Sequence, residues 1–206
     1  TFVALQQTIQ KFDIPLQPFI KLIEANRMDQ HLNRYQTYAD LLHYCEHSAN
    51  PVGHLVLYLF GYRDEERQRW SDATCTALQL ANFWQDVWRD WQMGRIYIPL
   101  EDMRLFGYDD SQLAGRECND SFRRLMAFEV QRARELFAQG LQLADAVAGR
   151  LRLDIKLFSL GGLAVLDAID AIDFDVLHRR PTLSKVKKAQ LVARGLLPLP
   201  IRGEKV

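Results

Sequence analysis

Asn82, Asp86 and Asp90 stand four residues apart in the block Asn82-Phe83-Trp84-Gln85-Asp86-Val87-Trp88-Arg89-Asp90. On a helix that spacing stacks the three side chains along one face at about 6 Å per step, so an amide and two carboxylates open into the same space. Oxygen donors in that arrangement suit Mg2+, which keeps several waters and is held by one or two carboxylates together with substrate phosphate oxygens. Arg89 stands beside them and Arg95 follows shortly after. A guanidinium is the side chain best shaped to grip a phosphate bidentately. The plain alternative is an amphipathic helix on which Asp86, Arg89 and Asp90 make solvated pairs, and a bare DxxxD spacing does not separate the two. The surroundings do. Phe83, Trp84, Val87, Trp88 and Trp91 crowd the same stretch, so its polar face is expected to line a pocket, where acids need cations as partners.

The other reactive residue types read as structure. His43, His47 and His54 lie near Pro51, but a zinc site needs a further ligand at matching geometry, and none is evident. Asp167, Asp170 and Asp173 recur every three residues opposite Leu163, Leu166, Ile169 and Ile172, the pattern of a solvated face over a buried one. Cys45 has no basic neighbourhood to activate its thiol and reads as a small buried residue. His178, Arg179, Arg180, Lys185, Lys187, Lys188 and Arg194 form a local basic patch. It reads first as a solvated helix and second as a surface for peripheral contact with an anionic membrane.

The elements that must position these residues are helices. Glycine and proline are sparse, and apolar residues recur every three to four positions. A first helix is expected to stop near Asp13 and a second to begin near Pro18; a further helical segment carries Tyr35 to Cys45. Ala49-Asn50-Pro51-Val52-Gly53 breaks the pattern before Leu55 to Phe60 resumes it. The aromatic helix is expected from about Asp72 to Gly94, with a loop between Pro99 and Gly107. Long helices over about Ser121 to Val147 and Leu151 to Leu177 follow, then a short one from about Leu183 to Leu196, which Pro198 and Pro200 cannot continue.

Composition narrows the class. The 206 residues are 48% apolar and 25% charged, enough for a single domain around one core. Twenty-six basic and 26 acidic residues give zero formal charge, so no global field recruits nucleic acid. Three cysteines without finger or CxxC spacing argue against a disulfide framework and for a reducing, cytoplasmic setting. No stretch reaches the roughly 20 apolar residues of a membrane span. Helical spacing begins at Phe2 with no cap ahead of it, so the chain is expected to start inside its domain.

The Asn82-to-Asp90 block, followed by Gly94-Arg95-Ile96-Tyr97-Ile98-Pro99, resembles the second aspartate-rich motif of the squalene and phytoene synthase family. Tyr44-Cys45-Glu46-His47-Ser48-Ala49-Asn50-Pro51-Val52-Gly53 is similar to that family's Tyr-Cys-to-Val-Gly segment. Gly161 to Ile169, with Asp175-Val176-Leu177 and Arg180-Pro181, is similar to its C-terminal signature. These motifs occur in the family's order across Phe12 to Leu196.

The resemblance implies an all-α, isoprenoid-synthase-type bundle around a central cavity, in which two aspartate-rich helices hold Mg2+ against a prenyl diphosphate. It implies that Asp86 and Asp90 are metal ligands with Asn82 adding an oxygen, and that Arg95 and Tyr97 contact the diphosphate or its metal shell. Ionisation then expels diphosphate, and a carbocation reacts between apolar walls. Gln85 stands where many members have arginine. With Phe83-Trp84 and Asn50-Pro51-Val52-Gly53, it makes the chain most similar to the bacterial hydroxysqualene synthase branch of hopanoid biosynthesis, which converts presqualene diphosphate to hydroxysqualene. Head-to-head condensation of farnesyl or geranylgeranyl diphosphate is the alternative reaction. The first aspartate-rich motif has no counterpart here, since Asp13, Asp29 and Asp40 lack DxxxD spacing. The chain is therefore expected to be N-terminally incomplete. A rival from another class is a non-catalytic helical partner of pathway enzymes.

Overall fold

The computed structural model describes residues 2–196. These form α1 (Phe2–Phe12), α2 (Gln17–Met28), α3 (Tyr38–Ser48), α4 (Asn50–Leu59), α5 (Glu65–Gln85) and α6 (Val87–Gln92). Then come α7 (Leu100–Leu105), α8 (Asp110–Ala114), α9 (Asp120–Gly140), α10 (Gln142–Ala146), α11 (Gly149–Asp170) and α12 (Lys185–Leu196). The fold is all-α, and no helix among the described residues is long and apolar enough to cross a membrane.

Local chemistry explains most boundaries, including those that differ from the periodicity. The left-handed backbone at Asp13 (φ 48°) ends α1. Thr37 and Asp40 close a capping box that starts α3. Pro51 falls in the first turn of α4, where its missing N–H costs no hydrogen bond, so that helix resumes at once rather than at Leu55. α5 begins at Glu65, seven residues ahead of the expected Asp72, because the Asp64 carboxylate accepts from the Arg67 amide. The expected single helix to Gly94 is interrupted at Asp86.

Between Pro99 and Gly107 the chain is helical rather than a loop, as α7, with α8 following on an Asp109/Gln112 capping box. The expected helix over 121–147 divides after Gly140, where a Cβ would sit 2.2 Å from Thr74 Oγ1. α11 ends at Asp170 rather than Leu177, because Asp173 and Phe174 take left-handed backbone (φ 54° and 58°). Residues 197–200, expected to end the last helix, lie outside the described residues.

α5 is the axis of the molecule and packs against α3, α4, α9, α10 and α11. Its Ala77, Leu80, Ala81 and Trp84 join Phe122, Leu125, Met126 and Phe137 of α9 and Leu166 and Ile169 of α11 in the main core. Gly162 allows α11 its approach, since a Cβ there would meet the Phe137 ring at 2.2 Å. Asp167 and Asp170 at the end of α11 and Asp173 just beyond it are exposed but not merely solvated: the first two bind Arg134 of α9, and Asp173 binds Arg123.

Candidate functional site

The last turn of α5 buries Phe83, Trp84 and Gln85 and leaves Asn82 exposed. At Asp86 the backbone leaves helical geometry (φ −110°, ψ 15°) and re-enters it as α6. The amide of Asp86 still bonds the Asn82 carbonyl at 3.0 Å, and the amide of Asp90 bonds the Asp86 carbonyl at 2.8 Å. The four-residue hydrogen-bonded spacing thus survives the break. Gly94, at φ 75°, turns the chain where an L side chain would be strained, and the Arg95 amide returns to the Asp90 carbonyl at 2.9 Å.

The segment after Gly94 is clamped to the α2–α3 connector. Ile96 N–H donates to Asn33, Leu100 N–H to Tyr35 and Glu101 N–H to Gln36, at 2.9, 3.0 and 3.0 Å. The Tyr38 amide donates to the Glu101 carboxylate at 2.6 Å. This clamp sets Tyr97 into a four-ring cluster. Its ring stacks on Phe83 at 3.6 Å between centroids and on Tyr35 at 5.7 Å, with Tyr44 at 6.1 Å.

The two carboxylates are in unlike states. Arg180 donates from Nε and Nη2 to the two oxygens of Asp86 at 2.6 and 2.9 Å, a bidentate grip. The same guanidinium donates to Gln85 Oε1 at 3.1 Å, and the Gln85 amide donates to the Pro181 carbonyl at 2.5 Å. Asp90 makes no ion pair among the described residues. Burial, then the neighbouring Asp86 charge, push its carboxyl up to about 6, against the pull of Arg95 and Arg89. On the other side, Arg95 donates to the Tyr97 hydroxyl at 3.4 Å and lies 4.0 Å from Asp29. Asp29 accepts from the Tyr44 hydroxyl at 2.9 Å. Burial raises the Tyr97 hydroxyl above its ordinary range.

The structure therefore brings Asp86, Asp90, Arg95 and Tyr97 together. Asn82 sits one turn earlier on the surface. Arg89 is exposed and shares with Asp86 an open cleft of about 230 Å³, lined also by Arg116, Arg179 and Arg180, whereas Asp90 lies beside Tyr97 on the other side. Three participants lacked an assigned role in the sequence. Arg180 was legible only as part of a signature and a basic patch, and Tyr44 only within the Tyr-Cys segment; Asp29 had no signal, because its partners are distant in sequence. Arg116 adds a strap: it lies over the Trp88 ring at 4.4 Å and donates from Nε to the Leu177 carbonyl at 3.0 Å.

The residues present fit a hard divalent cation. All the donors are oxygens, and the half-buried Asp90 carboxyl, crowded by Asp86, has no cation of its own.

A profile of squalene/phytoene synthases matches residues 1–187. The chain is 32% identical over 94% of its length to a phytoene synthase of Arthrospira platensis, spanning 69% of that protein. It is 33% identical over 97% of its length to a 15-cis-phytoene synthase of Synechocystis sp., spanning 60% of it. Among solved structures, squalene synthase HpnC from Alicyclobacillus acidocaldarius is 49% identical and superposes with a TM-score of 0.83, over 84% of this chain and 66% of that one. A dehydrosqualene synthase at 24% identity shares the fold, with a TM-score of 0.85 over 93% of this chain and 68% of its own.

Proposed function

The chain belongs to the squalene/phytoene synthase family, and on that premise we propose that it serves hopanoid-type isoprenoid biosynthesis by converting presqualene diphosphate to hydroxysqualene with Mg2+. The observation that carries this reading is the unpaired, half-buried Asp90 beside Asp86, with Arg95 and Tyr97 on its other flank. The 49% identity to squalene synthase HpnC, against 33% to the Synechocystis phytoene synthase, supports the choice of reaction.

In this mechanism Asp86 and Asp90 would hold the cation, with the exposed Asn82 one turn earlier as the candidate further oxygen donor. Bound Mg2+ supplies positive charge to the departing diphosphate. Arg95 and the Tyr97 hydroxyl hydrogen-bond the leaving group, and Arg89 approaches it from the neighbouring cleft. The C–O bond breaks with its electron pair leaving on diphosphate. The resulting cyclopropylcarbinyl cation rearranges with opening of its three-membered ring to an open-chain allylic cation, to which water adds with loss of one proton, so no external reductant is consumed. The packed rings of Phe83, Tyr97 and Tyr44 make an apolar wall on this side of the site that would exclude bulk water from the cation. Asp86 would engage the metal through an oxygen that Arg180 gives up, and Arg180 would stay beside that carboxylate to offset its charge.

The second reading is head-to-head condensation of linear prenyl diphosphates, favoured by the phytoene synthase names among the relatives. The deciding experiment incubates the full-length protein and Mg2+ with presqualene diphosphate or with farnesyl or geranylgeranyl diphosphate, and identifies the lipids by mass spectrometry. Hydroxysqualene from presqualene diphosphate alone supports the first reading. Presqualene diphosphate, squalene or phytoene from linear precursors replaces it with the second. No product from any substrate makes the chain a non-catalytic partner.

A further inference from the structure

On α3, His43, Glu46 and His47 occupy positions i, i+3 and i+4 and therefore share one helix face. That face is the outer one, since Leu41, Tyr44 and Cys45 are the residues of this helix turned into the core. One donor atom from each of the three lies within 4.8 Å of the other two. His43 Nδ1 is 3.5 Å from Glu46 Oε2. Donors bound to one tetrahedral Zn2+ at the usual metal–ligand lengths are separated by about 3.3 Å, so this pair is already near the spacing a shared ion imposes. Closing the third donor needs only side-chain rotation in groups that solvent reaches.

A further feature prepares His47. Its Nδ1 meets the backbone carbonyl oxygen of His43 at 2.8 Å. In the tautomer that donates this bond, the proton sits on Nδ1 and the Nε2 lone pair is free for a metal, the usual way a ligating imidazole is oriented. The two rings lie edge to face with centroids 4.6 Å apart. His54, grouped with these histidines by sequence position, is elsewhere, paired with Asp72 at 2.7 Å. The ligand that the sequence did not reveal is Glu46.

We propose that His43, Glu46 and His47 form a surface site for a borderline transition-metal ion of the Zn2+ class, with three protein ligands and an open coordination position. Two imidazoles exclude Mg2+ and Ca2+ as its ion and separate it chemically from the all-oxygen Asp86/Asp90 set. A metal bridging i and i+4 staples the turn whose inner side carries Tyr44, which is bonded to Asp29. The site thus stiffens the outside of the helix that supports the aromatic cluster.

The test is calorimetric titration of tag-free protein with Zn2+ and, separately, with Mg2+. Zn2+ is expected to bind one equivalent per chain at this site. His43→Ala and His47→Ala should each weaken it about ten-fold or more, and the double variant should abolish it. Glu46→Gln should weaken it less, and His54→Ala should leave it unchanged. Co2+ should give the visible spectrum of a nitrogen–oxygen site without thiolate charge transfer. Absence of saturable Zn2+ binding, an affinity unchanged in the double variant, or a thiolate band would each overturn the assignment. His43 and Glu46 are exposed and His47 is partly exposed, so the variants are expected to keep the fold, which circular dichroism checks.

Discussion

Two carboxylate pairs in this molecule obey the same electrostatics and reach opposite ends. In each, burial is the first cause that raises one carboxyl and a neighbouring carboxylate is the second: Asp86 acts on Asp90, and Asp102 acts on Glu129. The Asp102–Glu129 pair is sealed. Glu129 is 0% exposed and its carboxyl stands well above the ordinary range, while Asp102 binds Arg132 at 2.7 Å. The Arg132 guanidinium is itself held against the rings of Tyr38 and Phe128 at 4.1 Å each. One internal cation, Arg132, serves both acids, at 2.7 Å from Asp102 and 3.6 Å from Glu129, and the result pins α7 to α9. At Asp86 and Asp90 the internal cation, Arg180, reaches only one member. The other is half-exposed and unmatched, which leaves the opening that the proposed Mg2+ would fill. Closure by the protein makes a clamp; lack of closure makes a receptor for positive charge.

The sharpest way to break the comparison is to remove the open pair. Asp90→Asn or Asp86→Asn in the full-length protein should lower turnover about a thousand-fold or more without loss of helical circular dichroism. Activity within ten-fold of wild type would place the chemistry elsewhere. Next in size, Arg132→Met leaves two buried acids without their cation and should cost about 3 kcal/mol, read from urea unfolding. A smaller effect is expected from Arg180→Ala, which frees Asp86: kcat/KM should fall roughly 10- to 100-fold.

The mildest change, Glu129→Gln, tests the sealed pair by pH. A carboxyl whose folded value exceeds its ordinary 4.5 contributes stability that is complete below that pH and is lost as pH rises toward the folded value. The urea midpoint of wild type should therefore decline with rising pH above about 4.5, and the glutamine variant should show a flatter profile. Equal slopes would mean that Glu129 is ionised in the fold.

Local features of the open pair were legible in the sequence, whereas of the sealed pair only the helix that carries Glu129 and Arg132 was, since Asp102 falls where the sequence predicts a loop. The Asn82/Asp86/Asp90 spacing and the run from Gly94 to Pro99 depend on neighbours within a few residues, and the helical period marked α2, α3, α9 and α11. The break at Asp86 was not legible, because it coincides with anchoring by Arg180 and Pro181, far along the chain. Nor was the role of Asp29, which rests on Tyr44 and Arg95. Asp64 could have been read as the start of α5, since an aspartate ahead of two glutamates is a helix-start pattern. The short helices α7 and α8 were missed because each is only a turn or two long, too brief for periodicity to register.

The bidentate grip of Arg180 on Asp86 spans 94 residues, which sets an order of events during synthesis. At translation rates of about 5–20 residues per second, Asp86 waits roughly 5–20 s after its own incorporation before Arg180 is even made. Through that interval the nascent chain carries two acids on a broken helix and a row of aromatic rings with their C-terminal strap still missing. The ribosome-bound intermediate is thus most vulnerable to aggregation around α5 and α6, and it completes this corner only once Arg180 has been polymerised.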